Sequence, residues 1–102
     1  IYAWMGHLVK RHKPFVTVVN VGRTYENRTI KGVRINFKKN NKIVFIEAGI
    51  HANEWIAPAT ATFILNELLT NTDPSVRAVI EKYNWIVVPS MNPDGYVYTF
   101  DV

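Results

Sequence analysis

Residues 42–69 read KIVFIEAGIHANEWIAPATATFILNELL, and the fold turns on how this stretch divides. The run KIVFIEA is nearly all apolar and predicts a strand buried on both faces. From Ala57 to Leu69, the residues Ala57, Ala61, Ile64, Leu65 and Leu68 recur at the 3.6-residue spacing of a helix packed on a sheet. Between the two stand His51 and Glu54. A helix begun at Glu54 would make Pro58 its fifth residue, where the missing amide costs a hydrogen bond. A start near Ala57 places Pro58 in the first turn, where it costs little. The pair is therefore expected in the loop that leaves the strand, the place where open α/β sheets hold their ligands.

Upstream, IYAWMGHLVKRH carries a helical apolar pattern at Ile1, Trp4, Met5 and Leu8, and Pro14 blocks its continuation. FVTVVNVG reads as a strand, RTYENR as a turn and TIKGVRINF as a second strand, so a hairpin is expected. The polar KKNNK makes the next turn. Downstream, Asp73 as N-cap and Pro74 at the first helical position open a helix with Val76, Val79 and Ile80 inward. WIVVPSMN is another apolar strand, NPDG suits a type I turn, and YVYTFDV alternates like a strand. This order predicts an α/β fold with a mixed, twisted central sheet in a three-layer α/β/α arrangement. The chain opens inside a helical pattern and stops in a strand-like run, so the expectation is one partial domain, residues 1–102.

Composition narrows the chemistry. A chain of 102 residues that is 48% hydrophobic and 13% aromatic buries one small core. No apolar run approaches the length of a membrane span, and nothing reads as a signal peptide. With no cysteine there is no disulfide and no thiolate site, which leaves histidine and carboxylate as metal ligands. The net charge of +4 comes largely from KRHK (Lys10–Lys13) and KKNNK (Lys38–Lys42), each at the end of an element and without interleaved aromatics. These are solvated turns, so neither nucleic acid nor membrane is expected as a partner.

His51 and Glu54 suit zinc. Catalytic zinc sites commonly take three protein ligands, two histidines and one glutamate among the known sets, and keep a position for water. The same spacing would also serve a capping histidine and a glutamate at the positive end of a helix. His7 and His12 are poor further ligands, since five residues apart at the first helix they point to different faces.

VGRTYENRTIKGVRI, then GIHANEW with PAT just after it, then MNPDGYVYTF occur in that order over nearly the whole chain. Together they resemble the zinc metallocarboxypeptidases of the digestive, pancreatic type, whose sequences run like IG(K/R)SYEGR, GIHAREW and NPDGY. The resemblance implies the N-terminal part of a secreted zinc carboxypeptidase domain that acts on the C-termini of peptides and proteins. It implies one zinc ion with His51 and Glu54 as the first two ligands. The third ligand, a histidine, would lie downstream of this sequence, with the general-base glutamate, the arginines for the substrate carboxylate and the closing tyrosine. No catalytic residue is expected within the chain itself. The choice between apolar and basic C-terminal residues would also be made downstream, and a pro-segment or a protein inhibitor is an implied partner.

One position departs from that pattern: Asn53 stands where the family usually has arginine. A neutral amide replaces a permanent cation beside the metal, and Asn53 is the candidate substrate-binding residue. HANE also resembles the HGNE of zinc deacylases of the aspartoacylase type, and a non-catalytic relative is a third reading. The flanking motifs favour the peptidase. Trp55 and Trp85 are expected as core or packing anchors, Tyr25 and Arg28 as structural, and Asn27-Arg28-Thr29 is a glycosylation sequon.

Overall fold

The polar segment between the first two strands closes a hairpin by its own backbone. Thr24 N donates to Arg28 O (2.8 Å) and Asn27 N to Thr24 O (2.9 Å), with Asn27 in the left-handed region at φ 64°. Asparagine tolerates that conformation better than most residues. On either side, β1 (Val16–Arg23) and β2 (Thr29–Ile35) pair antiparallel, with an irregularity between Asn20 and Gly22. The computed structural model describes residues 2–12 and 15–100. The remaining elements are α1 (Tyr2–Arg11), β3 (Lys42–Glu47), α2 (Ile56–Thr70), α3 (Pro74–Ile80), β4 (Tyr83–Val88) and α4 (Pro93–Tyr98). The parts of the sequence reading that concern Ile1, Lys13, Pro14, Asp101 and Val102 lie outside the described residues.

The four strands form one mixed sheet in the order β1-β2-β4-β3. β2 and β4 are antiparallel, whereas β3 and β4 run parallel through the crossover that contains α2 and α3. The registers place Val16, Val33, Ile35, Ile46, Trp85 and Val87 on one face. Met5 and Leu8 of α1, Ala61, Leu65 and Leu68 of α2, and Ile80 of α3 join Val16, Val33, Ile35 and Val87 in a single core. Arg77 of α3 reaches back to Leu68 O at 2.6 Å and so ties the two crossover helices together. The mixed α/β sheet is as the sequence predicts.

Two expectations need correction. Among the described residues β3 is not buried on both faces: it is one of the two edge strands, with β1 at the other edge, and Ile43 and Phe45 on its outer face are about half exposed. The inner positions belong to β2 and β4, each of which has a partner on both sides. In α3, Asp73 does cap the helix, accepting from Ser75 N and Val76 N, with Pro74 in the first turn. Val76 and Val79 are exposed, however, and only Ile80 is buried, because this seven-residue helix meets the core at its last turn.

Candidate metal centre

Because β3 and β4 are parallel, Glu47 pairs with Val88 and both strands end at the same edge of the sheet. The pairing continues one step into the loops, with Ala48 N donating to Val88 O (3.0 Å) and Met91 N to Ala48 O (2.8 Å). Gly49 then turns the chain at φ +79°, where a Cβ would lie 3.2 Å from Ser90 Cα and 3.3 Å from Pro58 Cγ. Glycine is required here both by the backbone and by the close approach.

The loop that follows holds His51 and Glu54 on a single turn. Glu54 N donates to His51 O (3.0 Å), and Glu54 O accepts from Ala57 N (3.1 Å) at the entrance of α2. With α2 starting at Ile56, Pro58 sits in the first turn and the pair lies in the loop before the helix. Both side chains are exposed, and among the described residues neither makes a side-chain hydrogen bond or ion pair. An imidazole and a carboxylate, unengaged and on one turn, fit two positions of a zinc site. No group of three or more metal-ligating residues occurs among the described residues, so His7 and His12 do not complete it. His7 is exposed on α1, and the Nε2 of His12 is buried without a hydrogen-bond partner. Asn53, exposed between the two donors, presents its amide to solvent.

α4 forms the other wall of this loop and corrects the reading of NPDG as a turn followed by a strand. Asn92 Oδ1 accepts from Gly95 N (3.0 Å) as an N-cap, Pro93 occupies the first turn, and the helix continues through Tyr98. The same Asn92 donates from Nδ2 to Ile50 O (3.3 Å), next to His51. A Cβ on Gly95 would come within 2.7 Å of both Ala52 Cβ and Asn92 Nδ2, so glycine is what lets the helix approach the loop.

Asp94 points the other way, into the hairpin turn, where it accepts from Thr24 Oγ1 (2.7 Å), Arg28 Nη1 (2.9 Å) and Glu26 N (3.0 Å). Burial alone would raise its carboxyl, but these hydrogen bonds and the Arg28 charge outweigh it and hold the group below the ordinary carboxylate range. Arg28 is raised in turn, chiefly by its hydrogen bond to Asp94 and then by that to Glu26. Arg28 is engaged by Asp94 and Glu26, and Tyr25 is fully exposed. Trp85, half buried beside the core, donates to Ile80 O (2.9 Å). Of the two roles expected for Trp55, core or helix packing, it takes the second: it is 47% exposed and packs against Tyr96 of α4. The sequence reading missed Asp94 and α4, although Asn-Pro at positions 92–93 is the same helix-opening signal as Asp-Pro at 73–74.

The family profile described as zinc carboxypeptidase matches residues 1–101. The chain is 51% identical over 102 residues to a protein named zinc carboxypeptidase A 1 of Anopheles gambiae, covering all of this chain and 24% of that one. It is 37% identical to a protein of Talaromyces marneffei named inactive metallocarboxypeptidase ecm14, covering all of this chain and 19% of the other. Among solved structures, carboxypeptidase A from Helicoverpa armigera superposes with a TM-score of 0.86 at 33% identity, over 97% of this chain and 25% of that one. Bovine thrombin-activatable fibrinolysis inhibitor in complex with tick carboxypeptidase inhibitor gives 0.83 at 25% identity, over 97% and 31%. The chain spans about a quarter of the length of these insect relatives.

Proposed function

The chain belongs to the zinc carboxypeptidase family, and from that premise we propose that it contributes the first two zinc ligands, His51 and Glu54, to an enzyme that releases C-terminal residues from peptides and proteins. The observation that carries this reading is the pair itself, both side chains exposed and unengaged among the described residues on one turn at the end of the parallel strands. A third ligand, a general base and the groups that bind the substrate's terminal carboxylate come from residues outside this sequence.

When bound, zinc supplies Lewis acidity toward the scissile carbonyl and lowers the pKa of a bound water. His51 offers a nitrogen lone pair and Glu54 a carboxylate charge, a donor set suited to that ion. The backbone bond between these residues keeps both donors on the same turn. Asn53, between them, offers a neutral amide that can donate to a carbonyl or carboxylate oxygen of the substrate without adding charge. The enzyme acts outside the cell on this reading, and protein inhibitors are partners of the same site.

The test is a comparison of substrates for the full-length enzyme. Peptides with free C-termini should lose their last residue and N-acyl amino acids should stay intact, with both outcomes read by mass. Deacylation of the small molecules with no peptide shortening would move the site to the deacylase reading. Loss of neither would mark a non-catalytic relative.

A further inference from the structure

The indole of Trp55 follows Glu54 directly in the chain, yet it is not buried in the sheet. It leans over the last turn of α4, where Nε1 donates to Thr99 Oγ1 at 3.0 Å. Thr99 Oγ1 spends its own proton on Tyr96 O at 2.6 Å, which leaves its lone pairs to accept from the indole. A hydroxyl has one proton to give, so this relay has a fixed direction. The ring itself stacks on Phe100, with centroids 4.8 Å apart and planes at 24°, and meets Tyr96 at 6.2 Å. Tyr96 and Phe100 are edge to face at 5.3 Å, so three aromatic rings form one cluster. The face of this cluster is open, with Trp55 47% and Phe100 60% exposed.

α4 touches the loop at Ile50 through Asn92, at Ala52 through Gly95, and at Trp55 through Thr99. These points flank both His51 and Glu54. The entrance of α2 supplies no substitute, for no side chain caps it and its N-cap is Trp55 itself. The position of Glu54 along the chain is therefore set by its backbone bond to His51 on one side and by the Trp55 indole on the other.

We propose that Trp55 and Thr99 are positioning residues for the metal-binding loop, with the indole N–H to hydroxyl bond fixing the chain beside Glu54. This rests on the assignment of His51 and Glu54 as ligands, and the experiment separates the two claims. In the full-length enzyme, Trp55→Phe keeps a ring on Phe100 and removes the N–H, while Thr99→Val removes the acceptor at nearly constant shape. Outer groups that orient metal ligands typically contribute about 10–100-fold in affinity. Each variant, and the double variant to the same extent, should release zinc to a chelator about tenfold faster, at the lower end of that range. The cobalt-substituted forms should show shifted visible bands, and the melting temperature of the metal-free protein should stay at the parent value.

Parent-like release and cobalt spectra in both variants would overturn the proposal. So would faster release accompanied by a lower melting temperature of the metal-free protein and an unchanged cobalt spectrum, which would assign the pair to fold stability alone. A His51→Ala control run alongside reports on the ligand assignment: retention of zinc there refutes that assignment, whatever the Trp55 and Thr99 variants do.

Discussion

Arg28 Nη1 lies 2.9 Å from Asp94 Oδ1, joining the turn between β1 and β2 to the first turn of α4 across 66 residues of sequence. Three sequence motifs meet through this contact. Thr24–Arg28 holds Asp94 in the first turn of α4, Asn92 caps that helix and Gly95 lies on it, and these two hold the loop of His51 and Glu54. The turn motif and the NPDG motif are thus joined mechanically to the loop of His51 and Glu54.

The depressed carboxyl of Asp94 gives the first prediction. A carboxylate held below its ordinary value of 3.8 in the folded state contributes stability that is fully present above that value. The contribution is lost as pH falls through the lower folded value. In metal-free full-length protein, Asp94→Asn should melt lower than the parent by a constant gap near neutral pH, and the gap should close in acid below 3.8. A gap that widened in acid would contradict the network.

Gly95→Ala should destabilise the protein. The new methyl meets Ala52 Cβ and Asn92 Nδ2 at 2.7 Å. Overpacking of this kind costs about 1–3 kcal/mol, whereas replacing a helical glycine by alanine returns roughly 1 kcal/mol. Denaturant unfolding should show a net loss of up to about 2 kcal/mol. A variant more stable than the parent would show that the helix can step away from the loop freely.

Asn53→Arg should strengthen substrate binding and leave zinc content alone. Exchanging a neutral amide for a cation beside a carbonyl or carboxylate oxygen is worth about 1–2 kcal/mol. On several peptides KM should fall by roughly 5–30-fold, the same energy expressed as a ratio. Kinetics equal to the parent on all of them would leave Asn53 as a loop residue only.

How far the sequence is legible varies with what each residue needs from outside its own segment. His51 and Glu54 can be placed in the loop from Pro58 alone, because a proline fixes where a helix can begin. The hairpin and the N-cap at Asp73 are equally local. β3 is different: KIVFIEA has the composition of an inner strand, but exposure at Ile43 and Phe45 depends on which neighbours are paired and covered, and composition carries no such information. At residues 92–95 two local signals compete. Asn92-Pro93 opens a helix and Gly95 suggests a turn, and the helix wins because Asn92 caps it while Asp94 is anchored by Arg28 and Thr24 from the far hairpin. Trp55 reads as a core or packing anchor, and the choice between the two is not local, since its hydrogen-bond partner Thr99 lies 44 residues away.

The most direct measurement of the central claim is the zinc content of the full-length protein and of its His51→Ala and Glu54→Ala variants, each assayed for release of a C-terminal residue. The parent should hold one zinc per chain and turn over, while both variants should lose most of the metal and the activity and keep the parent's circular dichroism, because the loop lies outside the core. Residues 1–102 alone should bind zinc weakly and hydrolyse nothing, having only two ligands and no opposite wall. Undiminished zinc and activity in full-length His51→Ala, or tight stoichiometric zinc with turnover in residues 1–102, would contradict the account.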